Sequence, residues 1–122
     1  MKSSSVFAGA ILSTTLTALS LVGCAQNPDV RAGHDFTSGY TQRSPQAYLG
    51  CVEGELPSNV KTYQVATGDS LKLYVQSIDP DKADGLIELR ETGNQHAFTA
   101  YQRDAWYDHG RLLDAALMCK RV

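Results

Sequence analysis

Thiols, imidazoles and clustered carboxylates are the groups in this 122-residue chain that could do chemistry. The thiols are Cys24, Cys51 and Cys119, and the imidazoles are His34, His96 and His109. His96 and His109 could form an acid–base pair with Asp104 or Asp108. No third ligand lies near either histidine in sequence, so no metal signature results. His34-Asp35 falls in a polar stretch read as a mobile tether, which cannot hold a site in fixed geometry. Asp79, Asp81 and Asp84 share the segment DPDKAD, spaced as in a calcium loop. The sixth-position glycine and the closing glutamate are out of register for that loop, so a solvated turn is expected. No glycine-rich phosphate loop and no G-x-S-x-G is present. The reading is therefore no catalytic residue, no cofactor and no metal. The densest aromatic and polar run is YQRDAWYDH, with the single tryptophan of the chain. Tyr101, Arg103, Trp106, Tyr107 and His109 are its candidate partner-binding residues, because Trp and Tyr bury a large area while keeping a polar tip. The preferred reading instead packs Trp106 beneath the last helix and uses Arg103, Asp104 and Asp108 in local caps and ion pairs.

Cys24 ends the run Leu21-Val22-Gly23-Cys24. Lys2 supplies a positive start, and Val6 to Val22 is a 17-residue stretch without a charge. That stretch is diluted by Ser13, Thr14, Thr15, Thr17 and Ser20 and is short for a stable span. An uncleaved membrane anchor that happens to contain a cysteine is the competing reading. Leucine at −3, an aliphatic residue at −2, glycine at −1 and then cysteine resemble the lipobox of bacterial lipoprotein signal peptides. The resemblance covers residues 1–24 and implies cleavage before Cys24 with lipid on its sulfur. Each buried methylene contributes about 0.8 kcal/mol, so two or more acyl chains anchor firmly. The residues after the cysteine are Ala25 and Gln26 rather than aspartate, which in such families implies the outer membrane; the expected location is lipid-anchored there, with the domain facing the periplasm.

With Cys24 assigned to lipid, Cys51 and Cys119 remain as a pair in an oxidising compartment, where a disulfide is expected. Two unpaired buried thiols are the alternative. The bridge would close a loop of 68 residues, worth roughly 4 kcal/mol by chain entropy.

The elements that must position these groups follow from pattern. Residues 1–23 are read as the signal peptide and residues 24–43, rich in Pro, Gly and polar side chains, as a lipidated flexible tether. As a coil its 19 residues beyond the cysteine would average about 24 Å end to end. Residues 44–122 are read as one small α+β domain. Ser44-Pro45 caps a first helix whose inner face carries Ala47, Tyr48, Cys51 and Val52. Strand patterns follow at 61–66, over Leu71, Leu73 and Val75, over Ile87 and Leu89, and at 96–101. Gly68-Asp69 and Thr92-Gly93-Asn94 are turns. Together they predict a four-stranded antiparallel meander with one apolar face. Residues 111–121 are rich in helix formers, with Leu112, Leu113, Ala116 and Leu117 as a stripe and Asp108 as a cap. An alternating strand over Leu113, Ala115, Leu117 and Cys119 is the alternative. The helical reading puts an N-terminal and a C-terminal helix on one face of the sheet, joined by the disulfide.

Beyond residue 23 lie ten Lys+Arg and thirteen Asp+Glu, a formal charge of −3. That balance argues against nucleic acid and against a polybasic membrane patch. The resulting expectation is a non-enzymatic, membrane-anchored periplasmic lipoprotein that contacts the bilayer through Cys24 and an envelope protein or the cell wall through its domain. The alternative is an inhibitor or immunity lipoprotein against a cell-wall-degrading enzyme. Small lipid-anchored lysozyme inhibitors are similar in size, export and a cysteine near the C-terminus, but they are β-barrels, and flanking helices here would remove the analogy.

Overall fold

Leu71, Leu73 and Val75 alternate with polar or amphipathic residues, and this two-residue period puts all three on one side of a strand. The computed structural model describes residues 28–121, so Cys24 and the lipobox lie outside the described residues. The elements are β1 (Phe36–Thr41), α1 (Pro45–Glu55), β2 (Thr62–Thr67), β3 (Ser70–Val75), β4 (Gly85–Thr92), β5 (Gln95–Gln102) and α2 (Arg111–Met118). Short 3-10 turns occupy Val30–Ala32 and Ala105–Tyr107. All strand pairs are antiparallel, in the order β1-β5-β4-β3-β2. No helix among the described residues is long and apolar enough to cross a membrane.

The meander β2 to β5 follows the expected path. Gly68 and Gly93 open its two-residue turns at φ 57° and 64°, a conformation that glycine adopts without steric cost. The sheet nevertheless has five strands, not four. The fifth is β1, within the stretch expected to be a tether. Its two faces, Phe36-Ser38-Tyr40 and Thr37-Gly39-Thr41, are neither of them uniformly apolar, so periodicity hides it. Backbone pairing with β5, from Phe36↔Tyr101 to Thr41↔His96, supplies what side-chain pattern does not. Gly39 reads as a loop residue but belongs to the packing: a Cβ there would lie 2.9 Å from Cζ of Phe98.

Packed structure is also present before the expected boundary at residue 44. Asp29 caps the first turn, its carboxylate accepting from the Arg31 amide at 2.8 Å. Val30 is buried, and its N–H donates to the Pro80 carbonyl at 3.0 Å. Val30 covers a small cluster of Tyr74, Ala83 and Leu86 on the sheet face opposite the helices. That second face is thus covered at one place by the N-terminal segment. Beside it Glu88 accepts from Arg31 at 3.3 Å and pairs with Lys72 at 3.5 Å.

Both helices pack on the other face. The main core joins Tyr48, Leu49 and Val52 of α1 with Leu73, Val75, Ile87, Leu89, Phe98 and Ala100 of the sheet and Leu112, Ala115 and Ala116 of α2. The α1 face is rotated by about one residue from expectation: Leu49 is inside and Ala47 is exposed. The α2 stripe is likewise Leu112, Ala115, Ala116 and Cys119, spaced i, i+3, i+4, i+7, with Leu117 turned outward. Small residues at 115 and 116 let α2 sit close to the sheet, and Leu112 rests over Gly85, where any Cβ would collide with it. Cys51 and Cys119 form the disulfide, with Cα atoms 5.8 Å apart. It joins α1 to the residue after α2, as the pattern predicted. The open sheet with two packed helices is not a β-barrel, so the analogy with lysozyme inhibitors loses its basis in fold.

Candidate functional site

Four connections meet at one end of the sheet: the segment before β1, the α1–β2 link, the β3–β4 loop, and residues 103–110 between β5 and α2. Most of the candidate residues from the sequence fall there. Gln102, the last residue of β5, ties the region to α2. Its Nε2 donates to Oδ1 of Asp108 at 2.7 Å, and its Oε1 accepts from the Leu112 N–H at 2.9 Å. Asp108 Oδ1 also accepts from the amides of Gly110 and Arg111, both at 3.2 Å. These two side chains satisfy the N–H groups that every helix start leaves open, and Asp108 thereby caps α2 as expected.

Arg103 is a structural clamp rather than an ion-pair partner. Its Nε donates to the Ala83 carbonyl at 3.1 Å. One terminal nitrogen reaches the carbonyls of Pro28 at 3.0 Å and of Pro80 and Asp81 at 3.3 Å each. One guanidinium thus fastens the N-terminal segment to the β3–β4 loop. The DPDKAD segment is a turn: Asp79 Oδ1 accepts from the Asp81 amide at 3.0 Å, and the Asp79 carbonyl from Lys82 and Ala83 at 2.9 and 2.8 Å.

Trp106 does not pack beneath α2. It is 75% exposed, and Tyr107 beside it is 80% exposed. The reason is local. Asp104 takes a left-handed conformation at φ 51°, which turns the chain so that Ala105 is the buried residue of the 3-10 turn. The two rings then lie outside, edge to face, with centroids 5.9 Å apart. They border a cleft of about 370 Å³. Its apolar lining comes from Leu56, Pro57 and Val60 of the α1–β2 link, with Val75 and Leu112. Its polar edge has Gln76, Asp84, Asp104 and Arg111. Among the described residues, the non-glycine residues with positive φ are Gln76 (75°), Asp104 (51°) and His109 (60°), and all three belong to this end. Such conformations cost about 1–3 kcal/mol each and persist only where the surrounding structure holds them.

The remaining candidates divide. Tyr101 lies on the sheet face away from the helices, half-buried, with its ring 6.3 Å from that of Phe36. Burial, reinforced by the negative charge of Glu88, pushes its phenol above the usual tyrosine range. His109 is exposed next to the cleft. His96 opens β5 at the opposite end, with a buried Nδ1 that has no hydrogen-bond partner. The two histidines are therefore not brought together. Among the described residues no group of three His, Cys, Asp or Glu is placed to hold a metal ion. The sequence reading missed the apolar lining Leu56, Pro57 and Val60 and the exposed Ile78. The proline-bounded link 56–60 was the available signal, since apolar residues in a loop need a place to pack. No protein-family model matches the chain, and neither a curated protein nor a solved structure does.

Proposed function

We propose that this chain is a bacterial envelope lipoprotein, acylated at Cys24 and held at the outer membrane facing the periplasm, whose domain is a non-enzymatic binding or structural module. The run Leu21-Val22-Gly23-Cys24 supports the anchor, and the Cys51–Cys119 bridge fits an oxidising compartment. The observation that carries the binding reading is the Trp106–Tyr107 pair, outside the core at the border of an apolar cleft. Large exposed aromatics on a shaped, partly strained loop are the composition of a contact surface. The separation of His96 from His109 by the length of β5 favours binding over acid–base chemistry.

Complementation of a deletion strain tests this reading. A His96→Gln variant, which removes one imidazole of the acid–base pair and leaves the cleft untouched, is expected to restore the wild-type phenotype, whereas Trp106→Ala/Tyr107→Ala is expected not to. The reverse pattern would favour an enzyme. Mass spectrometry of the native protein checks the anchor: cleavage before Cys24 and an acyl mass on it are expected, and an intact Met1 end would refute it.

A further inference from the structure

The anchor and the clamp at Arg103 together constrain how the domain stands on the membrane. Pro28 is held by the Arg103 guanidinium at 3.0 Å, and Val30 is buried on the sheet. Cys24 is four residues before Pro28. Fully extended, that length reaches at most about 14 Å. The polar headgroup layer of one leaflet takes roughly 5–7 Å of this reach. What remains is shorter than the width of one helix with its side chains, so the chain cannot lift the domain clear of the bilayer. The end of the sheet from which Pro28 leaves must then rest on the lipid surface.

That end has the surface chemistry for it. Among the described residues, five of the eight large apolar side chains that are exposed lie there: Phe36, Tyr63, Ile78, Trp106 and Tyr107. The other three, Tyr40, Leu117 and Met118, sit toward the far end of the sheet and of α2. Trp and Tyr favour the headgroup level, where the ring is shielded and the polar tip stays wet. Asp79, Asp81 and Asp104 are exposed at the same end, so the contact is apolar rather than an attraction to anionic lipid.

We infer that the Trp106–Tyr107–Ile78 end of the domain docks on the membrane interface, with the bilayer itself as the partner of this surface. The inference rests on acylation at Cys24. It fixes the orientation: the β2–β3 and β4–β5 turns and the far ends of the helices face away from the lipid.

The chain carries its own probe, since Trp106 is its sole tryptophan. The natively processed protein is placed in phosphatidylethanolamine/phosphatidylcholine vesicles with and without phospholipid brominated on its acyl chains. Trp106 is expected to lose about half of its emission to the brominated lipid, as for a ring at the interface, and to keep that quenching in high salt. A Trp106→Phe/Tyr40→Trp variant moves the probe to an exposed site at the other end of β1 and is expected to be unquenched. Acylated protein whose Trp106 is not quenched, or is quenched no more than a tryptophan at position 40, overturns the docking and leaves the anchor standing. Protein with an intact Met1 end and no acyl mass overturns both.

Discussion

Removing one oxygen atom, by Tyr48→Phe, tests how α1 and α2 are held together. Tyr48 is fully buried, its ring centroid lies 5.2 Å from that of Phe98, and its hydroxyl donates to the Ala116 carbonyl at 2.7 Å. Ala116 is in the last turn of α2, where carbonyls lack an intrahelical donor. Phenylalanine fills nearly the same space, so packing is kept and the carbonyl is left without this donor. A buried orphan of this kind costs about 1–3 kcal/mol, which in a domain of this size lowers Tm by roughly 4–8 °C per kcal/mol. A second observable follows from pH. Burial holds the Tyr48 hydroxyl well above the usual tyrosine range, so the folded state keeps a proton that the unfolded chain releases near pH 10. The stability tied to this proton is intact below about pH 10 and falls as pH rises, by about 1.4 kcal/mol per pH unit. The variant has no such proton. In urea titrations the gap between wild type and variant should therefore be largest near neutral pH and shrink between about pH 9 and pH 11. A variant as stable as wild type, or a gap that does not change with pH, would refute the account of this contact.

Three further perturbations read other parts of the fold. Cys51→Ser/Cys119→Ser removes a bridge closing 68 residues and should cost about 4 kcal/mol, seen as an earlier urea midpoint that wild type reproduces under reductant. Gly85→Ala drives a methyl group into Leu112 beneath α2; calorimetry should show a loss of about 1–3 kcal/mol, recovered in part by Leu112→Ala if the collision is the cause. Arg103→Ala strips donors from four carbonyls, a loss of about 2–3 kcal/mol. Hydrogen exchange should then quicken at Val30 and Ala83 while Leu73 and Ile87 stay protected, and uniform protection would argue against a clamp.

The meander, both helices and the disulfide were legible because each rests on a local rule. Leu71-Leu73-Val75 has the strand period, Ser44-Pro45 has the helix-start chemistry, and two cysteines remained once the third was assigned. β1 was not legible. Its residues gain their order from backbone bonds to β5 and from the room Gly39 leaves for the Phe98 ring, and both are tertiary facts. Helix faces were off by a residue because Ala47 and Leu117 are apolar enough to be counted inward, whereas Leu49 and Ala115 fit the sheet. Around the cleft, the run from Tyr101 to His109 was recognisable by composition, but its orientation was not. One backbone angle at Asp104 decides whether Trp106 or Ala105 is buried, and no side-chain pattern encodes that angle.

The position of Cys51 also sets how the molecule gives way under load. Tension entering at Pro28, with the sheet gripped elsewhere, must first break the Arg103 clamp and lift Val30, and then meets β1, since that strand is an edge paired on one side only. Peeling can consume residues 28–50, a slack of roughly 80 Å. It then halts at the sulfur linkage to Cys119, because everything from there to the last helix is a covalent ring. The domain thus behaves as a leash with a fixed stop, yielding length from its outermost strand and the start of α1 while the other four strands stay inside the ring.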